Sequence, residues 1–134
     1  MNVSAGRGGK SYLAWQKVPD KLQEFCGWLN EELEKTYSDD IENAYNLSFE
    51  SHFRLSSIHP WADGNGRMSR LLMNMVQYEK NLVPSIVKKE RRAEYIKAIS
   101  ESQDAEDSAS FIDFMFNQHI QNLKQQIEEY KISL

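Results

Sequence analysis

Residues 59–70 have the sequence HPWADGNGRMSR. Apolar residues at helical spacing follow this stretch directly: Leu71, Leu72, Met75 and Val76. A glycine-rich turn at a helix start presents backbone N–H groups and the positive end of the helix dipole, and both attract phosphate. A neutral histidine beside such a turn accepts a proton near neutral pH. The stretch therefore predicts a phosphate-binding active site where a loop meets a helix.

The glycines and arginines of this stretch suit a polyphosphate ligand. Gly64 and Gly66 carry no side chain where the backbone must approach a ligand, and with Asn65 their N–H groups form an anion-binding nest. Arg67 and Arg70 are three residues apart on the helix, so they project from nearly the same face. Two guanidinium groups over one helix start favour a polyphosphate over a single phosphate.

The other polar residues of the stretch complete a set for phosphoryl or nucleotidyl transfer. Asp63 is the only carboxylate of the loop, and one carboxylate with phosphate oxygens and waters commonly holds Mg²⁺. His59, at the loop entrance, is placed to deprotonate an attacking hydroxyl. Charge neutralisation, positioning and a base are what such a transfer requires. The alternative is a capped helix with surface arginines and a structural histidine.

Composition limits the classes of protein to consider. The chain has 134 residues, 40% hydrophobic and 27% charged, and its net charge is −4. A nonspecific nucleic-acid binder is disfavoured by the charge, and the absence of a long apolar run predicts no membrane insertion. The single cysteine, Cys26, forms no internal disulfide and is predicted to be a buried apolar residue. We expect a cytoplasmic protein.

Periodicity predicts a mostly α-helical domain over residues 1–134. Residues 1–18 contain two short strands around a glycine-rich turn and are predicted to form a β-hairpin. The remainder, 19–134, is predicted to be a helical body with helices near 19–36, 40–57, 65–80 and 91–103 and a final helix from about residue 111. The fold class expected is all-α, a bundle of about five or six helices with a small N-terminal hairpin.

The stretch resembles the signature of Fic-domain proteins, H-x-F-x-(D/E)-G-N-G-R-x-x-R. It departs at one position, where Trp61 replaces the usual phenylalanine. The resemblance extends to the helix before the motif, to the continuation Leu71-Leu72-Met73-Asn74 and to the N-terminal hairpin, and so in effect spans the whole chain. It implies a small helical bundle with a β-hairpin flap beside the active site.

The resemblance also implies an activity. Most family members with the Gly-Asn-Gly sequence transfer AMP from ATP to a Ser, Thr or Tyr hydroxyl of a target protein and release pyrophosphate. His59 would then be the base that activates the hydroxyl, and Asp63 would hold Mg²⁺. The α- and β-phosphates would bind to residues 64–66 with help from Arg67, and the terminal phosphate would contact Arg70.

The same resemblance assigns the hairpin a role in binding the target. Residues of the first strand and turn would hold a segment of the target by strand addition through main-chain hydrogen bonds: Val3, Ser4, Ala5 and Gly6. Two other functions stay open. One is transfer or removal of another phosphate-linked group, and the other is a nucleotide-binding regulatory domain without catalysis. A homodimer stays open as well.

Three further patterns carry weaker expectations. Residues 4–11 approach a P-loop but lack its first glycine and precede a β-like segment instead of a helix. Residues 38–43 fit the loose string [S/T]-x-x-x-E-[G/N] of the family's inhibitory helix, with Glu42 as its glutamate, although they lie inside the core, so we expect an ordinary helix start there. His52 is expected to be a buried core histidine. The chain is expected to be a fragment of a longer protein, with an inhibitory helix upstream left open.

Overall fold

A computed structural model describes residues 2–4, 11–58 and 64–133 of the chain. The described residues form five α-helices, two short strands and two 3-10 turns. The strands are β1 (Asn2–Ser4) and β2 (Ser11–Ala14), and the helices are α1 (Val18–Lys35), α2 (Ile41–Ile58), α3 (Asn65–Glu79), α4 (Arg92–Ala105) and α5 (Ala109–Ser133). The chain divides into two compact units, Met1–Val83 and Pro84–Leu134. The predicted all-α class is confirmed.

The first unit is built on α1, α2 and α3. Pro19 lies in the first turn of α1, where its missing N–H costs nothing and its fixed φ suits a helix. Apolar side chains from the three helices form one cluster, which is the core of this unit: Phe25, Leu29, Leu47, Leu55 and Val76. The burial of this shared apolar surface holds the helix that carries the motif against its two neighbours.

Cys26 is exposed, so the prediction that it is buried was wrong. The core-facing row of α1 runs through Phe25 and Leu29, which are four residues apart. Cys26 follows Phe25 directly, and one residue turns the helix by about 100°. The thiol therefore lies beside the core-facing row instead of within it.

A buried amide joins α2 to α3. The Nε2 of Gln77 donates to the Oγ of Ser48 over 3.0 Å, and both side chains are fully buried. The Oγ of Ser48 in turn donates to the carbonyl of Tyr45 over 2.7 Å. The Oε1 of Gln77 accepts from the Nδ2 of Asn74 over 3.0 Å. Because a buried amide is costly without partners, these bonds favour one register of α2 against α3.

Lys80 connects the end of α3 to the end of α1. Its ammonium group donates to the carbonyl of Leu33 over 2.7 Å and to that of Thr36 over 2.6 Å. These carbonyls belong to the last turn of α1 and its C-cap, where the helix dipole is negative. A cation there satisfies acceptors that the helix itself leaves open.

Lys80→Met is expected to lower the free energy of unfolding by about 2 kcal/mol, because hydrogen bonds to a charged group contribute about 1.5–3 kcal/mol. Urea denaturation followed by circular dichroism measures the change. The matched control is Lys35→Met, since Lys35 is exposed and its ion pair with Glu32, at 3.9 Å, is at the surface. Equal losses in the two variants would contradict the capping role of Lys80.

The second unit contains α4 and α5. Tyr95 packs against Phe111 with ring centroids 6.0 Å apart, and the N–H of Phe111 donates to the Oγ of Ser102 over 3.0 Å. The helical spacing of apolar residues in this segment predicts that Tyr95, Ile96 and Ile99 face inward. Tyr95 is buried, but Ile96 is exposed. Adjacent helix positions diverge by about 100°, so only one of these two neighbours faces the core.

The two N-terminal strands lie within the region predicted as a hairpin. β1 and β2 pair in antiparallel fashion, with Asn2 opposite Ala14 and Ser4 opposite Ser11. The register shifts between the two pairs. The predicted turn, residues 5–10, lies outside the described residues.

Across the described helices, none has both the length and the apolar character needed to cross a membrane.

Candidate active site

Gly64 marks the point where the motif loop becomes a helix. It is the N-cap of α3 and has a φ of 75°, in the left-handed region that side-chain-bearing residues rarely adopt. Its carbonyl accepts the first helical hydrogen bond, from the N–H of Met68 over 3.0 Å. A Cβ atom added at Gly64 would meet no atom of the described residues within 4 Å. No described residue therefore blocks the approach of a ligand to the backbone at Gly64.

Arg70 folds back over the first turn of α3. A Cβ atom added at Gly66 would lie 3.2 Å from the Nη1 of Arg70. The guanidinium group thus lies over the second glycine, near the positive end of the helix dipole. The Arg70 side chain is half-buried, whereas Arg67, one helical turn earlier, is exposed. The two arginines therefore lie at the same end of α3 but differ in exposure: the side chain of Arg67 is exposed and that of Arg70 is half-buried.

Two polar residues of the motif face inward. Asn65 and Ser69 are both buried, one turn apart on α3. The Oγ of Ser69 has no hydrogen-bond partner among the described residues. The motif therefore has two buried polar positions on α3 in addition to its exposed Arg67.

His52 lies beneath this region, fully buried on α2. Burial, with a smaller contribution from the positive charge of Arg70, lowers the pKa of His52 from 6.5 to about 3. The imidazole is therefore neutral at physiological pH. The expectation that His52 is a buried core histidine is confirmed, and the structure adds its electrostatic link to Arg70.

The depressed pKa of His52 predicts a pH-dependent stability. In the unfolded chain His52 takes up a proton below about pH 6.5, and in the native state it does so only near pH 3. Because the unfolded state binds more protons between these values, stability is lost as the pH falls from about 6.5. We expect the free energy of unfolding to fall by about 1.4 kcal/mol per pH unit in the middle of this window.

Urea denaturation at several values between about pH 7 and pH 5 measures this slope. His119 contributes to the slope in the same direction, because burial also lowers the pKa of His119. The variant His52→Asn is expected to remove the larger part of the slope, whereas Lys35→Met leaves the slope unchanged. A slope that persists in full in His52→Asn would assign it to other groups.

The structure brings together part of the predicted site. Gly64, Asn65, Gly66, Arg67 and Arg70 all lie in the first two turns of α3 or at its cap. The predicted base His59 and the predicted metal ligand Asp63 lie in residues 59–63, outside the described residues.

The sequence predicts His52 as a core histidine shortly before the motif, and it assigns no role to Ser69 within the motif. Each of these two residues is a polar residue on a core-facing helix face. A polar residue at such a position is the sequence signal by which they could have been found.

The loose match to an inhibitory string is an ordinary helix start. Asp40 precedes α2, and its carboxylate accepts from the backbone N–H of Asn43 over 3.3 Å and from the Nδ2 of Asn43 over 2.6 Å. A side chain that accepts from the third helical N–H is an N-cap. The capping residue is Asp40, and Ser38 lies two positions earlier in the connecting turn.

The described part of the chain contains no group of three or more His, Cys, Asp or Glu side chains that could hold a metal ion. A metal held by one carboxylate and the oxygens of a nucleotide needs no such group.

Comparison with known proteins identifies the family of this chain. The matched region contains the glycine-capped start of α3 and its two arginines. Residues 1–77 match the model of the Fic/DOC family, which is more than half of the chain. The chain belongs to the Fic/DOC family.

Curated relatives in this family include proteins named as adenylyltransferases. The chain is 38% identical over 82 residues to Protein adenylyltransferase fic-1 of Caenorhabditis elegans, a match over 61% of this chain and 15% of that protein. It is 40% identical over 74 residues to Protein adenylyltransferase Fic of Drosophila willistoni, over 55% of this chain and 14% of that protein. The matches therefore span about a seventh of the length of these relatives.

Solved structures share the fold over most of the chain. A Fic domain containing signaling protein from Bacteroides thetaiotaomicron superposes with a TM-score of 0.74 and 25% identity, covering 92% of this chain and 50% of that one. A Fic-1 fragment from C. elegans gives a TM-score of 0.74 and 26% identity, covering 87% of this chain and 34% of that one. The helices described above are those of the Fic fold.

Proposed function

We propose that this chain is a protein adenylyltransferase domain that transfers AMP from ATP to a hydroxyl side chain of a target protein. The observation that carries this proposal is the start of α3, where the left-handed Gly64 caps the helix and the Arg70 guanidinium lies over Gly66 at the positive end of the helix dipole. That arrangement suits a polyphosphate. The names of the curated relatives support AMP as the group transferred.

The phosphates of ATP would bind at the N-terminus of α3. Gly64, Asn65 and Gly66 would hold the α- and β-phosphates through backbone N–H groups, because the two glycines carry no side chain of their own. Arg67 would assist from its exposed position, and Arg70 would contact the terminal phosphate. The guanidinium of Arg70 is half-buried against Gly66, so its side chain would lose less conformational entropy on binding than an exposed arginine would.

The reaction would form one bond and break one. The hydroxyl oxygen of a target Ser, Thr or Tyr attacks the α-phosphorus, and the bond from that phosphorus to the oxygen bridging the α- and β-phosphates breaks. Pyrophosphate leaves with the bonding electrons, and the proton of the hydroxyl passes to the imidazole of His59. His59 directly follows Ile58, the last residue of α2, so a rigid helix would carry the base to the site.

Mg²⁺ fits the donor set that the sequence offers. Asp63 directly precedes the N-cap Gly64, and one carboxylate beside bound phosphate oxygens is a usual Mg²⁺ environment. Bound Mg²⁺ would neutralise charge on the phosphates.

The N-terminal strands would hold the target. Val3 and Ser4 belong to β1, which pairs with β2 in a two-stranded sheet, and Ala5 and Gly6 follow them in sequence. A two-stranded sheet leaves an edge of unpaired backbone groups. An extended segment of the target would add to this edge through main-chain hydrogen bonds and present its hydroxyl to the α-phosphate.

Intact mass spectrometry tests the reaction. The chain is incubated with ATP and Mg²⁺, alone and with a host lysate, and the expected result is a mass increase of one AMP on the chain or on a lysate protein. ATP labelled on the α-phosphate is expected to leave its label on the product, whereas label on the γ-phosphate is not. Transfer of γ-label would indicate phosphorylation, and ATP binding without transfer to any protein would indicate a regulatory domain.

A further inference from the structure

The backbone conformation at Gly66 does not require glycine. Gly66 is the second residue of α3, and of the described glycines only Gly64 has a positive φ. Residues with side chains adopt ordinary helical angles readily, and alanine stabilises a helix more than glycine does. The reason for a glycine at position 66 therefore lies in what surrounds it.

The space beside Gly66 is filled by the guanidinium group of Arg70. A Cβ atom added at Gly66 would lie 3.2 Å from the Nη1 of Arg70 and 3.9 Å from both its Cζ and its Nη2. These are the three nearest atoms of the described residues, and all belong to this one guanidinium group. Because non-bonded carbon atoms pack best at about 3.5–4.0 Å, the contact of the added Cβ atom with Nη1 would require a shift. The missing side chain thus makes room for Arg70.

The spacing along α3 explains why these two residues meet. Side chains on a helix tilt toward its N-terminus, so a long side chain covers the turn that precedes it. Arg70 is four residues after Gly66, and its side chain therefore runs over position 66. A side chain at position 66 would compete for the surface that the guanidinium group covers.

The helix dipole does not hold Arg70 in this place. The start of α3 is the positive end of the dipole, where a cation is disfavoured. The guanidinium group nevertheless lies there, half-buried. Close packing against a backbone without a side chain therefore contributes to its placement, and a bound polyphosphate would offset the repulsion.

We propose that Gly66 is a positioning residue for Arg70, because its missing side chain lets the guanidinium group lie at the start of α3, where it would contact the terminal phosphate of ATP. This inference rests on the proposed function and adds a second role to Gly66. The first role, donation from the backbone N–H to phosphate, is kept by alanine. The positioning role is not kept, because a Cβ atom displaces the guanidinium group by a few tenths of an ångström.

Gly66→Ala is expected to weaken the binding of ATP with Mg²⁺ about fivefold, because the guanidinium group is displaced but not removed. Isothermal titration calorimetry measures the dissociation constant. The matched control is Gly27→Ala within α1, where an added Cβ atom would meet no atom of the described residues within 4 Å. The control is expected to bind ATP like the wild type, and both variants are expected to melt no lower than the wild type. An unchanged affinity in Gly66→Ala, or an equal loss in Gly27→Ala, overturns the positioning role.

A double-mutant cycle separates the positioning of Arg70 from a direct effect on the phosphates. In the Arg70→Ala background, a further Gly66→Ala change is expected to alter the dissociation constant by less than about twofold, because the group that the Cβ atom displaces is gone. If the Cβ atom instead obstructed the phosphates themselves, the full loss would persist in this background. Persistence of the full loss overturns the proposal.

A readout without ATP keeps this inference separable from the proposed function. The Nε–H resonance of Arg70 in nuclear magnetic resonance reports the surroundings of the guanidinium group. With no nucleotide present, this resonance is expected to shift in Gly66→Ala and to stay unchanged in Gly27→Ala. An unshifted resonance in Gly66→Ala overturns the positioning role. A chain that shows the shift but binds no ATP as the wild type contradicts the proposed function and supports only the packing of Arg70 on Gly66.

Discussion

His59→Ala is expected to reduce the rate of AMP transfer by about a thousandfold while the affinity for ATP changes little. General base catalysis contributes about 10² to 10⁴-fold, and alanine has no group that accepts a proton. ATP affinity is expected to persist because the phosphates would bind at the start of α3, which this substitution leaves intact. Intact mass spectrometry of the products gives the rate, and isothermal titration calorimetry gives the affinity.

A second substitution separates the basicity of His59 from its shape. His59→Asn keeps a planar polar side chain but accepts no proton at neutral pH, so it is expected to be as inactive as His59→Ala. The melting temperature of both variants is expected to match the wild type. Substantial transfer by His59→Asn would mean that the histidine positions the loop and that another group takes the proton.

Arg70→Ala is expected to raise the KM for ATP by at least about thirtyfold. The guanidinium over Gly66 is half-buried, and removing a charged partner from a partly desolvated contact typically costs about 2 kcal/mol or more, which corresponds to this factor. Arg70→Lys is expected to recover only part of the loss, because an ammonium group cannot form the two parallel bonds of a guanidinium. Steady-state kinetics over a range of ATP concentrations measures the effect.

The control for Arg70 is Arg92→Ala, which removes the same charge from an exposed position on α4. Its KM is expected to equal that of the wild type. Arg70→Ala has a second readout, because loss of the neighbouring positive charge is expected to raise the pKa of His52. Nuclear magnetic resonance of the imidazole measures this pKa. A KM that rises equally in both variants would point to a general electrostatic effect instead of a contact with phosphate.

The sequence predicts the helices well where a local signal marks an end. Pro19 and the apolar row through Phe25 and Leu29 predict α1 to within one residue at each end. Gly64 marks the start of α3 in the same way, because a left-handed residue terminates the loop and caps the helix. These features depend only on near neighbours in the chain, so a single sequence contains them.

The sequence is less informative about which of two adjacent apolar rows faces the core. On α3, Leu71 and Met75 are exposed, whereas Val76 is buried, yet all of them fit the helical pattern. The neighbourhood of His52 and Arg70 was likewise out of reach of the sequence. These residues are far apart in the chain, and only the packing of α2 on α3 brings them close. The proximity of His52 and Arg70 depends on the register of α2 against α3, which no local sequence pattern specifies.

The bond between Gln77 and Ser48 has a consequence for the reach of the motif loop. Residues 59–63 must connect Ile58, at the end of one helix, to Gly64, at the start of the next. A slip of one helical turn would move one anchor of this five-residue span by about 5.4 Å relative to the other, a large fraction of what so few residues can cover. The buried amide of Gln77 therefore helps to fix the distance that the loop carrying His59 and Asp63 must span.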